Sequence, residues 1–184
     1  MDRRAFLKLG YRVATLAAAT CVVPSSILAA TRRSSASKDL SFYNLHTGES
    51  LSVTYAANGK YIPDALQAID HILRDFRTGE VKAIDPSLLD LLYTLSKRVG
   101  FTTRHSLHII SGYRSLQTNA MLRESSRGIA KNSYHIEGQA LDFRAPPFCL
   151  SHLRKAALDL RGGGVGYYPR SNFLHVDVGE FRDW

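Results

Sequence analysis

The sequence predicts an α+β domain, with a small antiparallel sheet flanked by helices, behind an N-terminal export segment. Three observations predict it. Apolar residues recur at helical spacing in the first half of the domain, short strand-like runs bounded by Gly, Pro and Asn mark its last third, and no internal repeat links the two. The 184 residues, 45% apolar and 22% charged, suffice for one buried core and exclude an intrinsically disordered or collagen-like chain. Two cysteines outside any CxxC pair exclude a disulfide-rich scaffold.

Residues 1–30 read as an address. Arg3-Arg4 precedes Phe6-Leu7-Lys8, a mild apolar run follows from Val13 to Val23, and small residues close the segment at Ala29-Ala30. The run is too short to cross a hydrocarbon core of ~30 Å; its charged start, short apolar centre and small-residue end describe an export signal. The paired arginines resemble a twin-arginine (Tat) signal, which implies the Tat machinery as a partner and the periplasm as the destination. Cutting after Ala30 leaves Leu28 where a small residue is usual, so retention as an anchor stays an alternative, and membrane contact is expected only in that case. The net charge of +8 falls to about +5 when Asp2, Arg3, Arg4, Lys8 and Arg12 leave with the signal, and Cys149 is then the remaining cysteine. Basicity alone would invite nucleic acid, but no nucleic-acid-binding signature accompanies it and the export signal argues against it, so none is expected.

Residues 31–39 form a small, polar linker, and the domain proper is expected over 40–184. Leu40 to Asn44 and Leu51 to Tyr55 read as a hairpin around His46-Thr47-Gly48-Glu49. Asn58-Gly59 marks a turn, and Pro63 opens a helix whose Ala65, Leu66, Ile69, Ile72, Leu73 and Phe76 share one face up to Gly79. Asp85-Pro86 caps a second helix carrying Leu88, Leu89, Leu92, Leu95 and Val99. A strand over Leu107 to Ile110 leads into Ser111-Gly112-Tyr113-Arg114-Ser115, and a helix covers Leu116 to Glu124. Gln139 to Phe143 is a short strand that Pro146-Pro147 ends; Ser151 caps a helix through Leu160. Val165 to Tyr168 and Phe173 to Val178 form a strand pair.

The chemistry concentrates in Ser133-Tyr134-His135-Ile136-Glu137-Gly138-Gln139-Ala140-Leu141-Asp142. His135 and Asp142 can meet if a turn at Gly138 leads into the strand, and His175 lies in another strand as Phe173-Leu174-His175-Val176-Asp177. Two imidazoles and one carboxylate suit a zinc ion with a position left open for water. From spacing alone the signal is weak, and structural histidines are the competing reading. His46, His71, His105, His108 and His152 stand outside the motif and are expected to be structural or solvent-facing, Glu137 exposed, and Cys149 buried. Gly162-Gly163-Gly164 lacks the spacing of a phosphate loop; with Tyr167 and Tyr168 it lines a substrate groove or is a plain turn.

SYHIEGQALD matches the SxHxxGxAxD motif of the M15 class of D-Ala-D-Ala peptidases at every defined position. With SGYRS upstream, GGVGYYPRSNFLHVD downstream and the NLHTGES opening, residues 40–184 closely resemble the YcbK-like branch of that superfamily. The resemblance implies a Hedgehog/DD-peptidase-like fold. It implies a zinc-dependent murein endopeptidase acting on peptide cross-links of peptidoglycan, with His135, Asp142 and His175 as metal ligands. Arg114 falls on an arginine that faces the stem peptide near its carbonyl or carboxylate, a role its fork of donors suits. The chain departs from many relatives in one respect. The Glu or His two or three residues before the last histidine is replaced by Phe173 and Asn172, neither of which accepts a proton. Asp177, on the same strand face as His175, is then either the general base or a group that orients His175. The alternative function is a non-catalytic, zinc-containing peptidoglycan-binding module of the same fold.

Overall fold

The computed structural model describes residues 37–102, 104–125 and 129–184; the twin-arginine segment over 1–30 and the linker up to residue 36 lie outside the described residues. β1 (Lys38–Asn44) and β2 (Ser50–Ala57) form the expected hairpin, in a register that sets Leu40 opposite Val53 and Phe42 opposite Leu51. β1 thus begins at Lys38, inside the segment that reads as linker. Asn44 closes the hairpin: its Oδ1 accepts from the backbone N–H groups of His46 and Thr47 at 2.9 and 3.2 Å. Asn58 and Gly59, at φ 54° and 75°, turn the chain into the two-residue β3 (Lys60–Tyr61), as an Asn-Gly pair favours.

Helix α1 (Pro63–Ile72) buries Ala65, Ile69 and Ile72 but stops short of Phe76, which the apolar periodicity had included. Tertiary bonds end it. The Ile72 carbonyl accepts from Asn44 Nδ2 at 3.0 Å and the Leu73 carbonyl from the Tyr113 N–H at 2.7 Å, so the chain leaves the helix there. Phe76 stacks instead on His46, ring centroids 3.7 Å apart. In α2 (Pro86–Arg98), Asp85 caps the N-terminus by accepting from the Ser87 N–H at 2.9 Å, and Leu88, Leu89, Leu92 and Leu95 are buried. β4 (Leu107–Ser111) and α3 (Leu116–Ser125) follow as expected. α4 (Leu150–Leu160) starts one residue before Ser151, with Cys149 in the cap position; that place at a surface helix end leaves Cys149 exposed rather than buried.

β5 (Ala140–Arg144), β6 (Gly164–Tyr168), β7 (Phe173–Asp177) and β8 (Arg182–Asp183) complete one eight-stranded sheet of order β3-β2-β1-β4-β5-β7-β6-β8. The domain is α+β, but its sheet is neither small nor wholly antiparallel: β1–β4 and β6–β8 are parallel pairs. A parallel pair needs a long crossover and leaves no local mark in the sequence. Here the β4–β5 pair joins the N-terminal hairpin to the C-terminal strand pair, fusing two locally legible units into one sheet. The core lies against it, built from the apolar faces of α1, α2 and α4 with Phe42, Leu141, Phe143, Leu174 and Val176.

Leu141 and Phe143 of β5, and Leu174 and Val176 of β7, commit one face of these strands to that core. Strand pleating then turns Asp142, His175 and Asp177 to the opposite face. The turn before β5 depends on Gly138, which has φ 69° and would place a Cβ 2.5 Å from the Ala83 carbonyl oxygen. Gly138→Ala is expected to destabilise the domain by roughly 2–4 kcal/mol, from left-handed strain plus that contact. Urea unfolding of the two proteins checks this; equal stability would show that the turn tolerates a side chain.

Candidate metal centre

Three elements bring the motif residues together. Asp142 on β5 and His175 on β7 are register partners, and Asp142 Oδ1 lies 2.8 Å from His175 Nδ1. His135 comes from the turn ahead of β5, where its carbonyl accepts from the Arg114 N–H at 3.1 Å and its Nδ1 meets the Gly112 carbonyl at 2.7 Å. Its Nε2 lies 3.2 Å from His175 Nδ1 and 3.3 Å from Asp142 Oδ2. One ligand atom from each residue falls within 4.8 Å of the others, and the three are only 3%, 8% and 9% exposed.

The outer bonds of the two imidazoles decide what this cluster needs. His135 Nδ1 faces a carbonyl, which can only accept, so that nitrogen carries the proton and Nε2 presents a lone pair. His175 Nε2 lies 2.9 Å from Asp177 Oδ2, so a neutral His175 donates there and presents a lone pair at Nδ1. With His175 neutral, two lone pairs and a carboxylate converge on one point. A cation resolves this repulsion, and a divalent metal held by two imidazoles and a carboxylate fits the donor set. The electrostatics show the same demand for positive charge: burial alone would lower His175, yet Asp142 and Asp177 outweigh it and raise its pKa to about 9, so near neutrality a proton takes the place a cation would fill. Burial would raise Asp142, but His135 and His175 hold it far below the ordinary carboxylate range. Burial lowers His135.

Asp177 is fully buried and fully engaged. It accepts from Arg182 Nη2 at 2.6 Å and Nη1 at 3.1 Å, and from the N–H groups of Gly164 and Gly179 at 3.1 and 2.9 Å. It reaches the nitrogen of His175 remote from Asp142, which suits an orienting group and leaves no free lone pair for a proton from solvent. Arg114 lines the cleft and is 7% exposed; its Nη2 lies 3.6 Å from Asp142 Oδ2 and 3.4 Å from Ser111 Oγ, while its buried Nε has no partner. The segment that carries it is pinned by Asp75, whose carboxylate accepts from the Ser115 and Arg77 N–H groups, each at 2.9 Å. The cleft above the cluster measures about 580 Å³, and its walls include Tyr134, Tyr168, Phe173, Glu180, Arg182 and Trp184. Trp184 donates to Tyr168 Oη at 2.8 Å and lies 5.3 Å from the His175 ring, centroid to centroid.

A family model described as peptidoglycan L,D-endopeptidase MepK, of the M15 peptidases, matches residues 32–184. The chain belongs to the M15 peptidase family. The peptidoglycan L,D-endopeptidase MepK of Escherichia coli (strain K12) is 46% identical over 183 residues, which span 100% of this chain and 97% of that protein. The probable peptidoglycan L,D-endopeptidase MepK of Haemophilus influenzae is 41% identical over 183 residues, spanning 100% of this chain and 95% of that protein. No solved structure gives a significant match.

In this M15 chain the motif residues His135, Asp142, His175 and Arg114 thus share one cleft, with Asp177 behind it. The other histidines stand apart from the cluster, and Glu137 is an exposed partner of Lys82. Of the glycine-run neighbours, Tyr168 lines the cleft, whereas Tyr167 lies under Arg154, outside it. Sequence reasoning missed Arg182, Trp184, Glu180 and Asp75. The last three strands place the first two beside the cluster, and no motif spacing announces that pairing.

Asp75 gives a pH test. Burial would raise its carboxyl, but hydrogen bonds from Thr118, Ser115 and Arg77 outweigh this and bring its pKa to about 2. An unfolded Asp titrates near 3.9, so its contribution is full above about pH 4 and is lost as pH falls towards 2. Asp75→Asn is expected to cost roughly 1.5–3 kcal/mol at pH 7, where the charged bonds are lost, and less near pH 2. Urea unfolding at several pH values reads this; a pH-independent difference would contradict it.

Proposed function

We propose that this chain is a zinc-dependent peptidoglycan L,D-endopeptidase that hydrolyses peptide cross-links in the cell wall. The reading includes export to the periplasm by the Tat machinery and the Hedgehog/DD-peptidase-like fold. The observation that carries it is the convergence of His135, Asp142 and His175 on one buried point, with Arg114 in the wall of the same cleft. The similarity to MepK proteins over nearly their whole length supports the substrate class. Zinc is favoured over other divalent ions by the nitrogen-rich donor set.

His135, Asp142 and His175 would hold the metal. Zinc, when bound, supplies Lewis acidity and a water ionised near neutrality. Arg114, in the cleft wall, offers its guanidinium to a peptide carboxylate or to the oxygen on which charge develops, in a cleft where low solvent access strengthens both. Asp177, braced by Arg182, holds His175 in the tautomer whose Nδ1 faces inward. Trp184 and Tyr168 cover the His175 side of the cleft and keep bulk water from it. The L,D designation suits a link between two diaminopimelate residues, whose acyl centre is L and whose amine centre is D. The link from D-Ala to diaminopimelate is D,D.

The test is digestion of purified sacculi by the full chain, with zinc or with chelator, followed by separation of the released muropeptides. Loss of cross-linked dimers is expected. Chelator and His135→Ala should each suppress it by at least about a hundredfold. Intact dimers, despite bound zinc and retention on sacculi, would instead identify a binding module.

A further inference from the structure

We infer that Glu180 selects the cross-link: its carboxylate, on the rim of the metal cleft, takes the free ammonium of a diaminopimelate residue on the acyl side of the scissile bond. This rests on the endopeptidase reading above and adds the group that is recognised. Among the described residues lining the cleft, Asp142 and Glu180 are the carboxylates, and Asp142 belongs to the metal cluster. Glu180 is exposed, and no side-chain hydrogen bond or ion pair engages it among the described residues.

Its backbone is nevertheless fixed. The Glu180 carbonyl accepts from Arg182 Nη1 at 2.9 Å, and the Gly179 N–H donates to Asp177 Oδ1 at 2.9 Å. Gly179 packs so closely on Tyr134 that an added Cβ would lie 2.3 Å from that ring. The residues that orient His175 therefore also hold an unneutralised carboxylate at the mouth of the same cleft. Nearby, Tyr168 and Phe173 stack with centroids 4.4 Å apart and, with Trp184, give the wall an apolar surface.

Two chemistries meet this arrangement differently. A diaminopimelate acyl residue has a run of methylenes ending in a centre that bears an ammonium and, on the same carbon, a carboxylate. The methylenes suit the aromatic wall, and the ammonium suits Glu180. A D-Ala acyl residue has a methyl group and nothing to offer a carboxylate. Glu180 sits at the rim, whereas His135, Asp142 and His175 are at most 9% exposed on the floor, and that separation favours recognition over proton transfer.

The experiment uses the full zinc-loaded chain and Glu180→Gln on three purified muropeptide dimers. One is linked diaminopimelate to diaminopimelate, one is the same dimer N-acetylated at the acyl-side amine, and one is linked D-Ala to diaminopimelate. The wild-type protein is expected to prefer the first. Glu180→Gln should lower kcat/KM on it about fivefold through KM, as a partly solvated ion pair warrants. N-acetylation should cost the wild-type protein a similar factor, and the two proteins should then match on the acetylated dimer. A loss in kcat of equal size on every dimer would overturn the proposal in favour of a general base. Indifference of the wild-type protein to acetylation, or equal cleavage of the D-Ala link, would also overturn it while leaving the endopeptidase reading standing. Cleavage of no dimer would instead sink the endopeptidase reading itself.

Discussion

Asp142 and His175 face each other across β5 and β7, and most of the domain serves to keep that contact and its neighbour His135 together in a dry place. The cluster is costly by itself. A buried carboxylate without partners would lose several kcal/mol, and removing one partner of a buried charged pair typically costs about 3–5 kcal/mol. Here the carboxylate lies between two imidazoles, and the cluster calls for positive charge at its centre, which a proton or a metal ion supplies. Sheet register supplies the alignment: a one-residue slip of β7 against β5 would turn His175 into the core and bring an apolar side chain beside Asp142.

Outer contacts hold each ligand from behind. His135 leans on the Gly112 carbonyl, and Gly112 has no room for a side chain because a Cβ there would lie 2.5 Å from the Leu73 carbonyl oxygen. That close approach also explains why α1 ends where it does, since the Leu73 carbonyl is taken by Tyr113. His175 leans on Asp177, Asp177 on Arg182, and Arg182 lies over the rings of Tyr134 and Trp184, 5.1 Å from each centroid. Tyr134 neighbours His135 in sequence, so the two histidines are braced through a closed loop of contacts. These contacts fix which ring nitrogen of each imidazole faces the cluster.

Much of this was legible in the sequence, for local reasons. The hairpin at Asn44, the caps at Pro63 and Asp85 and the SxHxxGxAxD run each declare themselves within ten or so residues. The cluster is legible because Gly138 turns the chain and alternation in β5 and β7 sets Asp142 and His175 on one face. What was not legible depends on distant pairing. The parallel β1–β4 and β6–β8 contacts enlarged the sheet, and the latter carries Arg182 and Trp184 to the cluster. The apolar spacing through Phe76 could not reveal that Asn44 and Tyr113 end α1 early. The two alternatives for Asp177 turn on Arg182 and two backbone N–H groups that occupy its carboxylate, a fact that strand alternation alone does not contain.

The central claim is that the fold gathers three donors for one metal ion, which displaces the proton on His175, with Asp177 fixing the third. Isothermal titration of the metal-stripped full chain with zinc tests it most directly, alongside Asp142→Ala and Asp177→Asn. The account predicts one equivalent bound by the wild-type protein, none with comparable affinity by Asp142→Ala, and binding weakened roughly tenfold to a hundredfold by Asp177→Asn. Unchanged affinity in Asp142→Ala, or no stoichiometric binding by the folded wild-type chain, would contradict it.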